Sequence, residues 1–532
     1  MNKFFNYYNY LCIGANTPSV FSYDPYITAI KEMLVSELQQ IVYYIEKLKG
    51  LNMDMSGYRD KVIDFISVLI VNLDFKKESF FVIIEDLYNN KKKLEELYIN
   101  ACKDFDGEPV LLAKEKENLS SKETILKALN EHEKNISDKK ITLSENKKIL
   151  YEIMINIVLN ACNCLIELKH YGIDFPQAKD EVLKLFNSSN FPSDDDEKWK
   201  EKIMDFAKCN YKIVKLLNSA IIEKFGPVKD ADVSLSKKKG KAILVSGTSL
   251  LELEKILKAA KNTEINIYTH HEMISAFEYE ILQKYPNLAG HYQRSNNNFP
   301  LDFAEFPGPI YISRSSIPKI DVIRGQIYTS AKYPAYGIGK IENDNFSPLI
   351  DYALEAKGFE ENINYNSIKI GYSFDEVNKN IDLLSAKFKQ GEIKHIFIIG
   401  LIDMFSSSNK YINKFLTECP EDYFIISFSY KKQRNNFWHV NSYYDFSIVY
   451  YIVEKLSEKI ENPQKNISII LSDCNTNTIS HIFNLMHLKI KNIFLGACCP
   501  NIINPVLVEG LSDLFNVKPL TSPIEDINTV IN

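Results

Sequence analysis

A chain of 532 residues is longer than one ordinary core sustains and implies two or three domains. Hydrophobic residues at 45% and charged residues at 25% exclude a disordered or membrane-embedded chain. A formal net charge of −6, with Lys and Arg scattered among Asp and Glu, excludes the basic stripe that nucleic-acid backbones require.

Met1 to Gly14 is aromatic and Asn-rich, with one Lys and no apolar run, so it makes a poor signal peptide. No segment supplies the ~20 uninterrupted apolar residues of a bilayer span. Val62 to Leu73 and Ile153 to Leu168 are broken by Asp, Asn or Glu at intervals that suit amphipathic helices. A cytoplasmic location, away from membranes, is the expectation.

From Asp24 to about Gly226 apolar residues recur every three or four positions, as in Leu34, Leu38, Ile41, Val42, Ile45 and Leu48. This predicts a helical bundle. Asn118–Lys122 and Asn187–Asp196 read as loops, and Ser193 to Asp196 suits a helix N-terminus. The polar run Lys229–Lys241 reads as a solvated linker.

Beyond it, short β-branched runs alternate with helical stretches: Ala242–Ser246, Glu264–Tyr268, Pro309–Ile312, Ser367–Ile370, His395–Ile399, Tyr423–Ser427, Ile467–Leu471 and Asn492–Leu495. That alternation predicts parallel sheets with helices on their faces, hence a multidomain α/β protein. The expected division is 1–228 helical, 242–360 a first Rossmann-like α/β domain and 361–532 a second, with the break near 345–363. Ligands of such sheets bind beyond the carboxyl ends of strands.

The nine cysteines fall at 12, 102, 162, 164, 209, 419, 474, 498 and 499. An odd count with no Cys-x-x-Cys argues against a disulfide framework and against a zinc ribbon. Cys162 and Cys164, two apart on a helix, point about 200° apart and cannot share a metal. Tyr336-Gly-Ile-Gly-Lys340 lacks the spacing and the ending of a phosphate loop and reads as a turn.

Several stretches resemble the hybrid-cluster protein family, also called prismane proteins or hydroxylamine reductases. They are Ile243-Leu-Val-Ser-Gly247, Tyr268-Thr-His-His-Glu-Met273, Lys284-Tyr-Pro-Asn-Leu-Ala-Gly-His-Tyr292, Phe306-Pro-Gly-Pro-Ile310, Asp344-Asn-Phe-Ser-Pro-Leu-Ile350, Ile393-Lys-His-Ile-Phe-Ile-Ile-Gly400 and Lys489-Ile-Lys-Asn-Ile-Phe-Leu-Gly496. The resemblance implies the hybrid-cluster protein fold and reduction of hydroxylamine or nitric oxide. It also implies two cofactors: an iron–sulfur cluster on N-terminal cysteines, and a hybrid iron–sulfur–oxygen cluster on one His, two Glu and four Cys.

By that resemblance Glu272 stands at the first glutamate ligand and keeps it. Thr248 stands at the histidine, Ser316, Ile402, Tyr430 and Tyr443 at the four cysteines, Asn475 at the second glutamate, and Asn477 at a nearby lysine. In the N-terminal motif Asn6 and Asn9 stand at ligand positions, and Cys12 lies close to another. Iron in a sulfide cage prefers thiolates, and these side chains supply none. The expectation is a degenerate member with no cluster and no catalytic residue, acting as a scaffold or as partner of another protein or an active relative.

Each retained polar residue also has a plainer reading. Thr248 or Ser249 suits a helix N-cap, with Ser249-Leu-Leu-Glu252 as a capping box. Glu272 is neutral, newly solvated, or paired with His270, His271, Arg314 or His439. A single metal on Glu272 with His271 is the weak alternative, in a cavity repurposed for a metal or a small molecule.

Overall fold

The computed structural model describes residues 25–68, 77–104, 107–112, 119–137, 145–188, 195–293, 299–313, 326–331, 337–400, 409–428, 434–442, 445–471, 476–495 and 505–531. The helical part comprises α1 (Pro25–Gly50), α2 (Ser56–Val68), α3 (Lys77–Asp104), α4 (Lys122–Ser137), α5 (Glu145–His170), α6 (Pro176–Ser188) and α7 (Asp196–Phe225). The apolar stripe read on α1 is its buried face: Leu34, Leu38, Ile41, Val42, Ile45 and Leu48 all lie in the core. Asp195 caps α7, accepting the Glu197 N–H at 3.1 Å, so the acidic run does start a helix.

By length and composition residues Ile149–His170 of α5 could cross a membrane, but 78% of that window is buried inside the protein. It packs against α2, α6, α7 and the helices Thr476–His487 and Pro505–Phe515, with Ile153, Ile157, Val158, Ala161, Leu165 and Leu168 buried.

Two six-stranded sheets follow, and every pairing within them is parallel. The first comprises β2 (Ala242–Ser246), β3 (Asn266–His270), β4 (Leu288–His291), β5 (Ile310–Ile312), β6 (Ile327–Thr329) and β7 (Gly339–Lys340), in the order β4-β3-β2-β5-β6-β7. The second comprises β9 (His395–Gly400), β10 (Tyr423–Ser427), β11 (Phe437–His439), β12 (Ile467–Leu471), β13 (Asn492–Leu495) and β14 (Lys518–Pro519), in the order β11-β10-β9-β12-β13-β14. Both are doubly wound, and the direction of winding reverses between the first and fourth strands of each. There the connections leave in opposite directions and open a crevice. The continuous β-branched runs of β2, β10 and β12 are buried on both faces, as helix-covered parallel strands must be.

Two expectations are corrected. Ser367–Ile370 is a strand, β8, but it joins neither parallel sheet: it pairs antiparallel with β1 (Ala231–Ser234) in a separate two-stranded ribbon. Only one face of β8 is covered, Ile370 being buried while Ser367 and Lys369 are exposed. The run 229–241 is therefore no free linker. Beyond β1, Lys237 and Gly240 make antiparallel bridges to Ile363 and Phe359, and the Lys237 ammonium lies 4.8 Å from the Tyr292 ring centre.

The helical part docks on the second sheet through buried amides. Asn210 of α7 donates to Ser480 Oγ at 2.7 Å and to Asn484 Oδ1 at 2.8 Å, and Ser480 Oγ donates to Asn160 Oδ1 of α5 at 3.1 Å. Asn484 in turn donates to the Tyr450 hydroxyl at 2.9 Å, which lies 2.7 Å from His481 Nδ1. Burial depresses the His481 imidazole to about 3, so Nδ1 is free to accept from that hydroxyl.

Candidate functional site

The chain order of the strands decides where a site can form. Thr248 lies two residues beyond β2 and Glu272 two beyond β3, at the carboxyl ends of the first sheet. Ser316, Ile402, Tyr430, Tyr443 and Asn475 follow the ends of β5, β9, β10, β11 and β12 in sequence, but lie outside the described residues, as do Asn6, Asn9, Cys12 and Arg314. Of Asn477 only the backbone is described, within the helix Thr476–His487.

The turn after β2 is held by a residue of the neighbouring strand. Ser313, just past β5, accepts the N–H of Thr248 at 2.9 Å and of Ser249 at 3.3 Å. These are free donors at the start of the helix Leu250–Ala259. Ser249 is the N-cap residue, but its hydroxyl turns away and donates to Glu167 of α5 at 2.7 Å. Glu252 is buried and accepts from Ser330 Oγ instead of reaching back to the cap. The capping box is thus corrected: both of its side chains serve tertiary contacts, and Ser313 takes the Ser249 N–H that Glu252 would otherwise accept. Thr248 itself is exposed.

Sequence reasoning missed a buried polar row across the strand ends. Ser246 and His270 are register partners on β2 and β3, and Ser246 Oγ sits 3.1 Å from His270 Nδ1. The other ring nitrogen is 3.4 Å from Asp302 Oδ2. One strand over, Thr269 and His291 are partners on β3 and β4, 2.9 Å apart at Oγ1 and Nδ1, with His291 Nε2 3.0 Å from Gln293 Oε1. His270 and Asp302 are 0% and 2% exposed, and the Ser–His–Asp string pairs polar groups that burial removes from water. The available signal was a polar residue ending each of three adjacent strands.

His270 extends β3 two residues beyond the expected end, since its ring and the Thr269 hydroxyl both find partners inside the sheet. His271 then takes a left-handed backbone, φ 53°, which costs a residue with a Cβ about 1 kcal/mol. Burial, with His270 and His291 nearby, depresses its imidazole to about 3. Glu272 is half-buried, and burial pushes its carboxyl up to about 7. Of its expected partners His270 is already engaged, and the bonds of the described residues include no ion pair to Glu272.

The described cysteines do not supply the thiolates a cluster needs. Cys102 and Cys162 are buried in α3 and α5, and Cys164 and Cys209 half-buried in α5 and α7. Cys419 follows the helix Asn409–Glu418. Burial pushes the thiols of Cys164, Cys209 and Cys419 up to about 12, 11 and 12, so they are protonated and poor ligands. Among the described residues no group of three or more His, Cys, Asp or Glu gathers to hold a metal. Of the positions that the family resemblance picks out, the structure describes the side chains of Thr248 and Glu272 alone, and neither a hydroxyl nor a carboxylate is the thiolate that iron in a sulfide cage prefers.

Residues 24–436 match the Prismane/CO dehydrogenase family. A hydroxylamine reductase of Rippkaea orientalis is 24% identical over 531 residues, covering 95% of both chains. One of Maridesulfovibrio salexigens is 29% identical over 344 residues, covering 62% of this chain and 64% of its own length. Among solved structures, carbon monoxide dehydrogenase IV of Carboxydothermus hydrogenoformans superposes with a TM-score of 0.50 at 12% identity, over 95% of this chain and 87% of that one; this likeness concerns the fold.

Proposed function

Since the chain belongs to the Prismane/CO dehydrogenase family, we propose that it is a member that has lost both clusters and acts in the cytoplasm as a non-catalytic scaffold or as partner of another protein or an active relative. The carrying observation is the donor set. Thr248, Ser316, Ile402, Tyr430, Tyr443 and Asn475 occupy positions where the family resemblance places ligands, and none offers a thiolate or an imidazole. The same reading gives the N-terminal motif one thiol, Cys12, where a cluster needs several. Burial pushes the Glu272 carboxyl up to about 7.

The test is turnover of hydroxylamine by protein expressed without oxygen in an iron-replete host, with a reduced viologen as electron donor. No consumption above the buffer rate is expected. Stoichiometric enzyme-dependent reduction to ammonia would overturn the reading.

A second reading rests on His271, whose strained backbone and neutral ring adjoin Glu272. A carboxylate and a neutral imidazole suit zinc or ferrous iron, with further ligands from solvent. Zinc that raises the melting temperature of the wild type but of neither Glu272→Gln nor His271→Ala would favour this reading; equal shifts in all three would remove it.

A further inference from the structure

The basic run Lys237-Lys-Lys-Gly-Lys241 lies at the far end of the first sheet from Thr248 and Glu272. Lys241 immediately precedes β2, and Glu264 precedes β3 by two residues, so both stand at the amino ends of parallel strands. A groove of about 590 Å³ opens there between residues 239–241 and 357–360, with Glu264 also on its wall. That volume lies within the roughly 300–1,000 Å³ of small-molecule sites.

Both walls are fixed by the chain itself. Gly240 and Phe359 exchange N–H and carbonyl bonds, each at 2.9 Å. Lys239 N–H donates to Asn362 Oδ1 at 2.8 Å, and Lys238 N–H to the hydroxyl of the buried Tyr268 at 2.7 Å. Gly358, at φ 71°, has Gly240 O where a Cβ would stand, so only glycine fits. A ligand entering the groove therefore meets a preorganised backbone.

The charges on those walls are unevenly matched. Lys357 pairs with Glu360 at 2.9 Å, both side chains being exposed. The Lys241 ammonium reaches only a neutral acceptor, the carbonyl oxygen of Ala356. Among the described residues the Lys239 ammonium has no acceptor and the Glu264 carboxylate no donor. Two ammonium groups thus line the groove without a carboxylate partner, beside one carboxylate that is free to accept hydrogen bonds.

We propose that this groove binds a small phosphate ester carrying free hydroxyls, a sugar phosphate or a nucleoside monophosphate. Lys239 and Lys241 hold the phosphate, since the compact point charge of an ammonium suits a dianion. Lys357 joins them, because an exposed pair such as Lys357–Glu360 gives up little when the lysine turns to a doubly charged partner. Glu264 accepts from hydroxyls of the organic part, and Phe359 offers it apolar surface. Thr248 and Glu272 take no part, so the inference stands whether or not the clusters are lost.

Isothermal titration calorimetry of the full chain at low ionic strength, with ribose 5-phosphate, adenosine monophosphate, inorganic phosphate and ribose, tests it. At least one ester is expected to bind at about 1 mM or tighter, ahead of inorganic phosphate and ribose, and to weaken severalfold in about 0.5 M salt. The tighter ester shows whether a base belongs to the ligand. Lys239→Ala, at an exposed side chain with no partner to lose, weakens ester binding about tenfold. Glu264→Ala reduces the preference for ester over inorganic phosphate, and Lys103→Ala, in the helical part, leaves binding unchanged. No heat from either ester, inorganic phosphate binding as tightly as both, or wild-type affinity in Lys239→Ala would overturn the proposal.

Discussion

Glu272 shows how one side chain can be named from a sequence while its state cannot. The run Tyr268-Thr-His-His-Glu-Met273 picks it out, but its proton depends on burial, which pushes the carboxyl to about 7 from 4.5. The sign follows from that direction. In iron-free protein the neutral carboxyl favours the fold fully below 4.5, and the contribution fades as pH rises through about 7. At most about 3 kcal/mol is involved. Urea unfolding at acid and alkaline pH should therefore show the wild type losing more stability on alkalinisation than Glu272→Gln. A wild type that gains stability relative to the variant would mean that a bound cation holds the carboxylate ionised. His270 was legible only as a neighbour; its bond to Ser246 depends on strand register, which the sequence does not display.

At the scale of elements, the runs that the chain must bury on both faces were the readable ones: Ala242–Ser246, Tyr423–Ser427, Ile467–Leu471 and Asn492–Leu495 are strands at those bounds. Strands of two to four residues at sheet edges, such as β7, β11 and β14, carry too few apolar positions to announce themselves. Of the ribbon, β8 was legible as a strand but its partner β1 was not, because Val233 is a single buried residue inside a polar run. The helix 250–259 does start at Ser249 as read, but a capping box is a local expectation, and the Ser249 N–H goes instead to Ser313, 64 residues away. Ser313→Ala should accordingly destabilise the protein by about 1 kcal/mol in chemical denaturation, as loss of a cap acceptor does. A change within error would show that water or another group satisfies those two N–H groups.

For the whole molecule, alternation of strand and helix predicted two parallel-sheet domains after a helical one, and the two doubly wound sheets agree with that class. The winding order was not legible, because sequence spacing does not say which neighbour a parallel strand chooses. That order explains why candidate positions so far apart in sequence each follow a strand: Thr248 and Glu272 in the first sheet's half, Ile402 and Asn475 in the second's. Among the described residues, α5, the buried sheet strands and the amide seam around Asn210 hold the parts together through contacts of the chain itself.

The most direct test of that account is iron and acid-labile sulfide content, read with the visible spectrum, on protein purified without oxygen from iron-replete cells. The account predicts a folded, colourless protein with neither element bound. Several irons per chain with broad absorbance near ~400 nm, where thiolate-to-iron charge transfer falls, would contradict it.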